Sequence, residues 1–567
     1  MFNFQKRSLT NEESGNTIRW LDTFWVINVM FGEKTPMWAG WNSTMNKDPL
    51  PKQKILYMDN ITLPPTRLDV VAETMRRSQR VAEECGEKYV AVTYDLAVAK
   101  PALQIQAAES PLFDNVFICF GAFHILLAYF GALGHFIDGS GGTHTLIESE
   151  VLAEGSATGF ITGKHYNRCV RLHEILACAF HSLHIKKFLK QDGDVPEKMQ
   201  ESMSNLKNEP SQDRMKEVQA LPEYTSFMQR YDTFTEQTMN GTHGSTAKYW
   251  MIYIRLVGVY LKLSRACRTN NLHMFISALG EMIPVFFAMN RPNYARWMVR
   301  YYFNLINVDK THPGLEQSLR NGAFSVKRTE KQFSRIPVDM ALEQTVNADA
   351  ASRQTGIAAF TNSEDARRRW MVTRAMRSQV VGNMLDMADL TCKDDVAKTL
   401  RRSRIERDNA DIKKVVQTIE ETMNPFEIDA EEKLYCLATG KEATAQTTKD
   451  LLGCIEIGKM WEDEFTNACF EDPSRFEKPI PRRKIRNFNS DAAKSKIKTK
   501  DNQVIELRGT RDLFGRLLYI SSEKKVDLLK VFCYPLIPIP LSIGHIDGTL
   551  NKTDKSTLMK QVENMCV

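Results

Sequence analysis

A mixed α/β protein with a large all-helical middle is what this sequence predicts, and three observations lead there. Within the first 190 residues, short β-branched and aromatic runs alternate with segments of helical spacing. From about residue 192 the apolar runs lengthen and take a helical period. After residue 500 the composition returns to that of a small α/β region.

The first three elements read as strands: 17–29 (TIRWLDTFWVINV), 35–45 and 54–61 (KILYMDNI). Pro64 and Pro65 break the chain; Leu68, Val71, Met75 and Ala82 then fall on one helical face, and Gly86 stops that helix. A buried strand, YVAVTY, follows at 89–94, then a helix at about 101–109, the strand VFICF and a helix from His124. Three strands in a meander followed by alternating helices and strands is the order of a ribonuclease H-like mixed sheet. The polar stretch after 192 reads as an exposed loop, and 249–308 as three buried helices split at Asn270-Asn271 and at Arg291-Pro292. The domain expectation is therefore an N-terminal α/β half (1–190), a helical insertion (191–335), helices completing the core with a basic surface (336–425), a helical and basic linker (426–500) and a C-terminal α/β fragment (501–567).

Composition excludes several classes. With 43% hydrophobic and 25% charged residues the 567-residue chain builds an ordinary core. Eleven cysteines without a CxxC pair point to free thiols in a nuclear or cytoplasmic protein, not a secreted disulfide scaffold. The uncharged stretch 115–137 is long enough to span a bilayer, but it holds two histidines and three glycines and lacks a basic flank. A buried strand plus helix explains it equally, and no membrane partner is expected.

Net charge is only +6, so the distribution of charge matters more than its sum. Basic clusters lie at Arg367-Arg368-Arg369 with Trp370 and Arg374, and at Arg482-Arg483-Lys484 within a run of nine basic residues and one acid, 478–500. Arginines can track phosphates and Trp370 can stack on a base, so the partner expected is nucleic acid, DNA by preference. Solvated helix faces and a nuclear import signal are the competing readings.

The candidate chemistry is a carboxylate set. Asp95 ends a buried strand, where a side chain faces the cleft at the sheet's carboxyl edge. Two or three converging carboxylates could hold Mg²⁺ for phosphodiester chemistry. Asp22 and Asp59, on the first and third expected strands, and Glu343, on a helix with Asp339 on the same face, are the partners considered. Strand-end aspartates also cap turns and helices. Seven of eleven histidines lie from His124 to His184, interleaved with Cys119, Cys169 and Cys178. Their spacing matches no standard zinc motif, so core packing stands beside a structural metal. Asp138 to His144 (DGSGGTH) has the glycines of a phosphate cradle without its lysine.

The runs TYDLAVAKPALQIQ, FGAFHILLAYFGALGHFIDGSGG, ITGKHYNRCVRLHEILACAF and HPGLEQSLRNGAFSVKRTEKQFSRIPVDMALEQTVNADAASRQTGIAAFT resemble an uncharacterised animal family that looks transposon-derived. Members of that family continue beyond a segment similar to RGTRDLFGRLLYISSEKKVDLLKVF, which makes 501–567 look truncated. A more distant resemblance is to ribonuclease H-like (DDE-type) transposases with a helical insertion. It implies that Asp95 is the second acid, Cys119 and His124 the pair trailing it, and Glu343 the last acid; the first acid, Asp22 or Asp59, has no convincing motif around it. The function expected is a transposon-derived DNA-binding protein with Mg²⁺-dependent strand transfer. The alternative is a non-catalytic scaffold or interaction protein.

Overall fold

The computed structural model describes residues 12–533, apart from 33, 47, 49, 54, 56–57, 59–60, 62, 352–355, 389–396, 429–431, 492–494, 499–503, 508–520 and 522–526. Among the described residues helix makes up 69% and strand 4%, so the expected ribonuclease H-like mixed sheet is not formed. The correction begins at the first element. α1 (Glu12–Phe31) and α2 (Trp38–Met45) are helices where β-propensity pointed to strands. Thr23 to Val29 are all buried, so two successive turns of α1 are enclosed on every side and show no polar stripe. A helix buried all round cannot be told from a buried strand by periodicity. The described residues of 54–61 include no strand.

The next elements fall where spacing puts them. α3 (Leu68–Glu84) buries Val71 and Met75 completely and ends at Gly86, whose φ of +74° is the left-handed turn that glycine adopts without strain. β1 (Val90–Tyr94), α4 (Leu96–Ala108), β2 (Val116–Phe120) and α5 (Ala122–Ile137) form one β-α-β-α unit. The strands pair in parallel from Val90↔Val116 to Tyr94↔Phe120, with α4 as the crossover a parallel pair needs. The uncharged 115–137 stretch is thus β2 and α5. Among the described residues no single helix is long and apolar enough to cross a membrane; α5 and α6 (Gly142–Glu148) meet at 94°. The glycine-rich DGSGGTH forms the turn between them, and a side chain at Gly141 would sit 2.5 Å from the Ala438 amide, so the loop is a packing junction with no room for phosphate.

Helices then accumulate around one long rod. α7 (Ala157–Ile161) leads into α8 (Tyr166–Asp192), which is buried over most of its 27 residues. The expected loop after 192 holds α9 (Glu197–Asn208) and α10 (Gln212–Gln219), because Met199, Met203 and Leu206, then Met215 and Val218, supply narrow apolar edges within polar sequence. α11 (Pro222–Met239), α12 (Ser245–Thr269), α13 (Leu272–Ala288) and α14 (Pro292–Ile306) follow. The expected breaks hold: the Asn271 side chain accepts from the Met274 amide at 2.9 Å, and Pro292 opens α14.

Short elements come next: α15 (Val308–Thr311), α16 (Leu315–Ser318), the two-residue antiparallel pair β3 (Ser325–Val326) and β4 (Ile336–Pro337), a π-helical turn Leu342–Asn347, α17 (Ala348–Ala351) and α18 (Ile357–Phe360). Beyond them lie α19 (Glu364–Val372), α20 (Arg374–Met387), α21 (Arg402–Glu421), α22 (Ala445–Leu452) and α23 (Cys454–Glu471). Arg171 ties α8 to α21 by donating to Asp408, which is 1% exposed, at 2.8 Å. A single buried cluster extends from Phe24 to Ile485, so β2, α5, α8, α12 and α13 share one core. The antiparallel pair β5 (Ser495–Lys498) and β6 (Val504–Leu507) and the short α24 (Leu528–Phe532) are described after it. The rest of the expected 501–567 α/β fragment lies outside the described residues.

Candidate functional site: a cationic cleft at the strand ends

Both strands of the parallel pair run straight into helices, so their carboxyl ends gather two helix N-termini in one place. Asp95 leaves β1 and caps α4, its carboxylate accepting from the Val98 amide at 2.9 Å. Gly121 leaves β2, and its amide donates to the Tyr94 carbonyl at 2.8 Å. The free amides of α5 are satisfied from elsewhere in the chain. Asp339, after β4, accepts from the Phe123 and His124 amides at 3.1 Å each and from His124 Nδ1 at 2.9 Å. Only glycine fits at 121, since a Cβ there would lie 2.1 Å from Asp339 Oδ2. The Asp339 hydrogen bond raises the His124 pKa above its ordinary 6.5 despite partial burial, with smaller contributions from Asp95 and Glu343.

In front of this edge lies a cleft of about 890 Å³. Four cations line it: Lys100 from α4, Lys164 after α7, Arg291 at the start of α14 and Arg482 from the basic run. Asp95 is the one carboxylate residue on its wall, among the described residues. No ion pair forms at any of the four cations among the described residues, although pairing is common elsewhere on this surface. Arg291 is half-buried, burial lowers its pKa, and its Nε has no hydrogen-bond partner. Its guanidinium crosses α5 at Gly131, where a Cβ would come within 2.2 Å of Nη2. The basic run is anchored from beneath: the Ile485 amide donates to the Ala288 carbonyl at 3.1 Å, and buried Asn487 donates to the His135 carbonyl at 3.1 Å. That anchoring holds Arg482 at the cleft.

The other expected site residues go elsewhere. Asp22 sits on helix α1, facing Arg265 and accepting from Trp38 Nε1 at 2.8 Å, so it is a structural ion-pair partner and no first-strand acid. Asp59 lies outside the described residues. Glu343 accepts from Asn347 at 3.0 Å in the π-helical turn. Among the described residues no group of three or more His, Cys, Asp and Glu side chains is arranged to hold a metal ion. The carboxylates at the strand ends serve as helix caps, so the residues present do not fit the expected Mg²⁺ site. Cys119 does not pair with His124; it is buried on β2, and burial pushes its thiol up to about 12. His173 and His184 are core histidines bonded to Tyr253 and Tyr231, at 2.8 and 2.7 Å.

The basic residues divide likewise. Arg374 pairs with Asp349, Arg367 donates to the Thr361 carbonyl at 2.9 Å, and Trp370 is covered by Arg377 at 4.8 Å from its ring centre. Arg368 and Arg369 are exposed on α19. Arg483 is drawn to Glu464, and Lys484 is exposed. Lys100, Lys164 and Arg291 are not legible as site residues in the sequence, because each stands alone with no other basic residue beside it except His165 after Lys164. The one local signal was the Gly163-Lys164 pair.

Residues 37–535 match the profile of a family described as a domain of unknown function (DUF8702), and the chain belongs to that family. No curated protein and no solved structure matches the chain.

Proposed function

We propose that this protein binds the sugar-phosphate backbone of a nucleic acid, DNA by preference, in the cleft at the ends of β1 and β2. The observation that carries this reading is the set of four cations without carboxylate partners, drawn from four separate segments onto one concave surface. A single unpaired lysine or arginine is ordinary on a surface, because exposed ion pairs contribute little. Four left unpaired around one cleft supply a site for an anion of repeating charge. His124 adds a further positive charge below its raised pKa. The resemblance to transposon-derived reading frames supports DNA as the polyanion. Asp95 and Asp339 are engaged as helix caps, which supports binding without strand cleavage, the interaction-protein alternative.

The test is a salt titration. Each phosphate neutralised contributes a slope of about −0.9 in log K against log salt, so four contacts give about −3.6. Fluorescence anisotropy with a labelled duplex should show that slope, reduced by about 1 in Arg482→Ala. A slope near zero would refute the reading. Plasmid nicking in Mg²⁺ that disappears in Asp95→Ala would restore the strand-transfer reading.

A further inference from the structure

A second cavity lies among α1, α8, α11, α12, α13 and α23, and its chemistry differs from that of the cleft. Its volume is about 850 Å³. Protein interiors are close-packed, and a space of this size exceeds what a few structural waters occupy. It falls within the range of small-molecule sites. We propose that this cavity binds an uncharged, largely apolar small molecule carrying one hydrogen-bonding group.

The walls are built by helix periodicity. On α8, Glu174, Ala177, Cys178 and His181 recur at the i, i+3, i+4, i+7 spacing of one helix face, and all four line the space. Opposite them, α12 presents Gly258, where an added Cβ would meet nothing within 4 Å. Trp25, Val26, Leu261 and Val285 supply apolar surface.

The polar groups contributed by α8 are few. His181 stacks on Tyr231 with ring centres 5.9 Å apart and has no hydrogen-bond partner among the described residues. Burial lowers its pKa to about 4, so at neutral pH it offers one donor and one acceptor nitrogen. Glu174 accepts from Tyr260 at 2.9 Å, and burial raises its pKa to about 7. The Cys178 thiol is pushed up to about 12. Most charged residues of the lining are paired, Arg19 with Asp232 at 2.7 Å, Lys262 with Glu281, Arg255 with Glu236 and Asp22 with Arg265, while Lys459 and Glu462 lie on α23 at one side. A charged ligand would lose hydration among α1, α8 and α12, where the charged side chains are already paired, whereas an uncharged one gains apolar burial and a bond to His181.

Prodan, a neutral naphthalene ketone, is a suitable probe because it is apolar with a single acceptor oxygen. Titrated into the full chain, it should bind saturably at one site with a blue-shifted emission. Gly258→Trp and, separately, Ala177→Phe should fill the cavity and weaken binding at least tenfold with unfolding midpoints retained. His181→Ala should weaken it severalfold while leaving DNA affinity unchanged. The proposal is overturned if binding is absent or non-saturable, if it persists undiminished in a folded cavity-filling variant, or if it arises only after residues 1–11 are removed. The last result would make the cavity a seat for the chain's own N-terminus.

Discussion

Replacing Asp339 by asparagine isolates the contact that assembles the cleft edge. Asp339 is 8% exposed and takes three hydrogen bonds from the start of α5, two from backbone amides and one from the His124 ring. Losing a helix cap costs about 1 kcal/mol, and a bond to a charged group is worth about 1.5–3 kcal/mol. Asparagine keeps one acceptor oxygen but turns an NH₂ group toward the remaining donors, so the expected loss is about 2–3 kcal/mol. The pH dependence follows from the direction of the His124 shift. A pKa raised in the folded state contributes stability that is fully present below the unfolded value near 6.5 and is lost as pH rises through the folded value. Urea unfolding of the native protein should show that loss above pH 6.5. In Asp339→Asn the His124 component should shrink, with His124→Gln as the reference, and the His124 resonance in ring-labelled protein should titrate at lower pH than in the native protein. Equal midpoints for Asp339→Asn and the native protein, or an unmoved His124 titration, would refute the assignment.

Other perturbations test separate parts of the molecule. Arg265→Ala strands the Asp22 carboxylate and uncovers Trp38, over which the guanidinium lies at 5.0 Å; unfolding should come about 3–5 kcal/mol earlier in denaturant titration. Gly131→Ala should push Arg291 out of its groove on α5 and weaken duplex binding severalfold by anisotropy, more than an alanine at exposed Gly155 does. Cys85 and Cys533 should react with a thiol reagent in the native protein, whereas buried Cys119, Cys169, Cys178, Cys267, Cys436, Cys454 and Cys469 should react only after unfolding.

Some of this architecture is legible in the sequence for plain reasons. α3 announces itself because its apolar residues lie on one face and Gly86 ends it. The splits at Asn271 and Pro292 are written in capping chemistry. α1 is not legible, because Thr, Ile, Val and Trp in series satisfy a strand and a wholly buried helix equally. The β-α-β-α unit was read correctly and the sheet around it was not, since strand pairing is set by contacts distant in sequence. The same division holds for the site. Asp95 is legible from its strand end, and it shares the cleft wall with His124, whereas Glu343 does not line the cleft. Its role as the cap of α4 depends on one backbone amide that no spacing reveals. Lys100, Lys164 and Arg291 become a set only when α4, α7 and α14 meet at the cleft.

Duplex affinity at low salt for Lys100→Glu/Lys164→Glu/Arg482→Glu, set beside Arg367→Glu/Arg368→Glu/Arg369→Glu, separates the strand-end cleft from the arginine-rich α19 as the proposed nucleic-acid surface. The cleft variant should bind at least a hundredfold more weakly and the α19 variant within a few fold of the native protein. The reverse order, or unchanged binding in the cleft variant, would contradict the proposal.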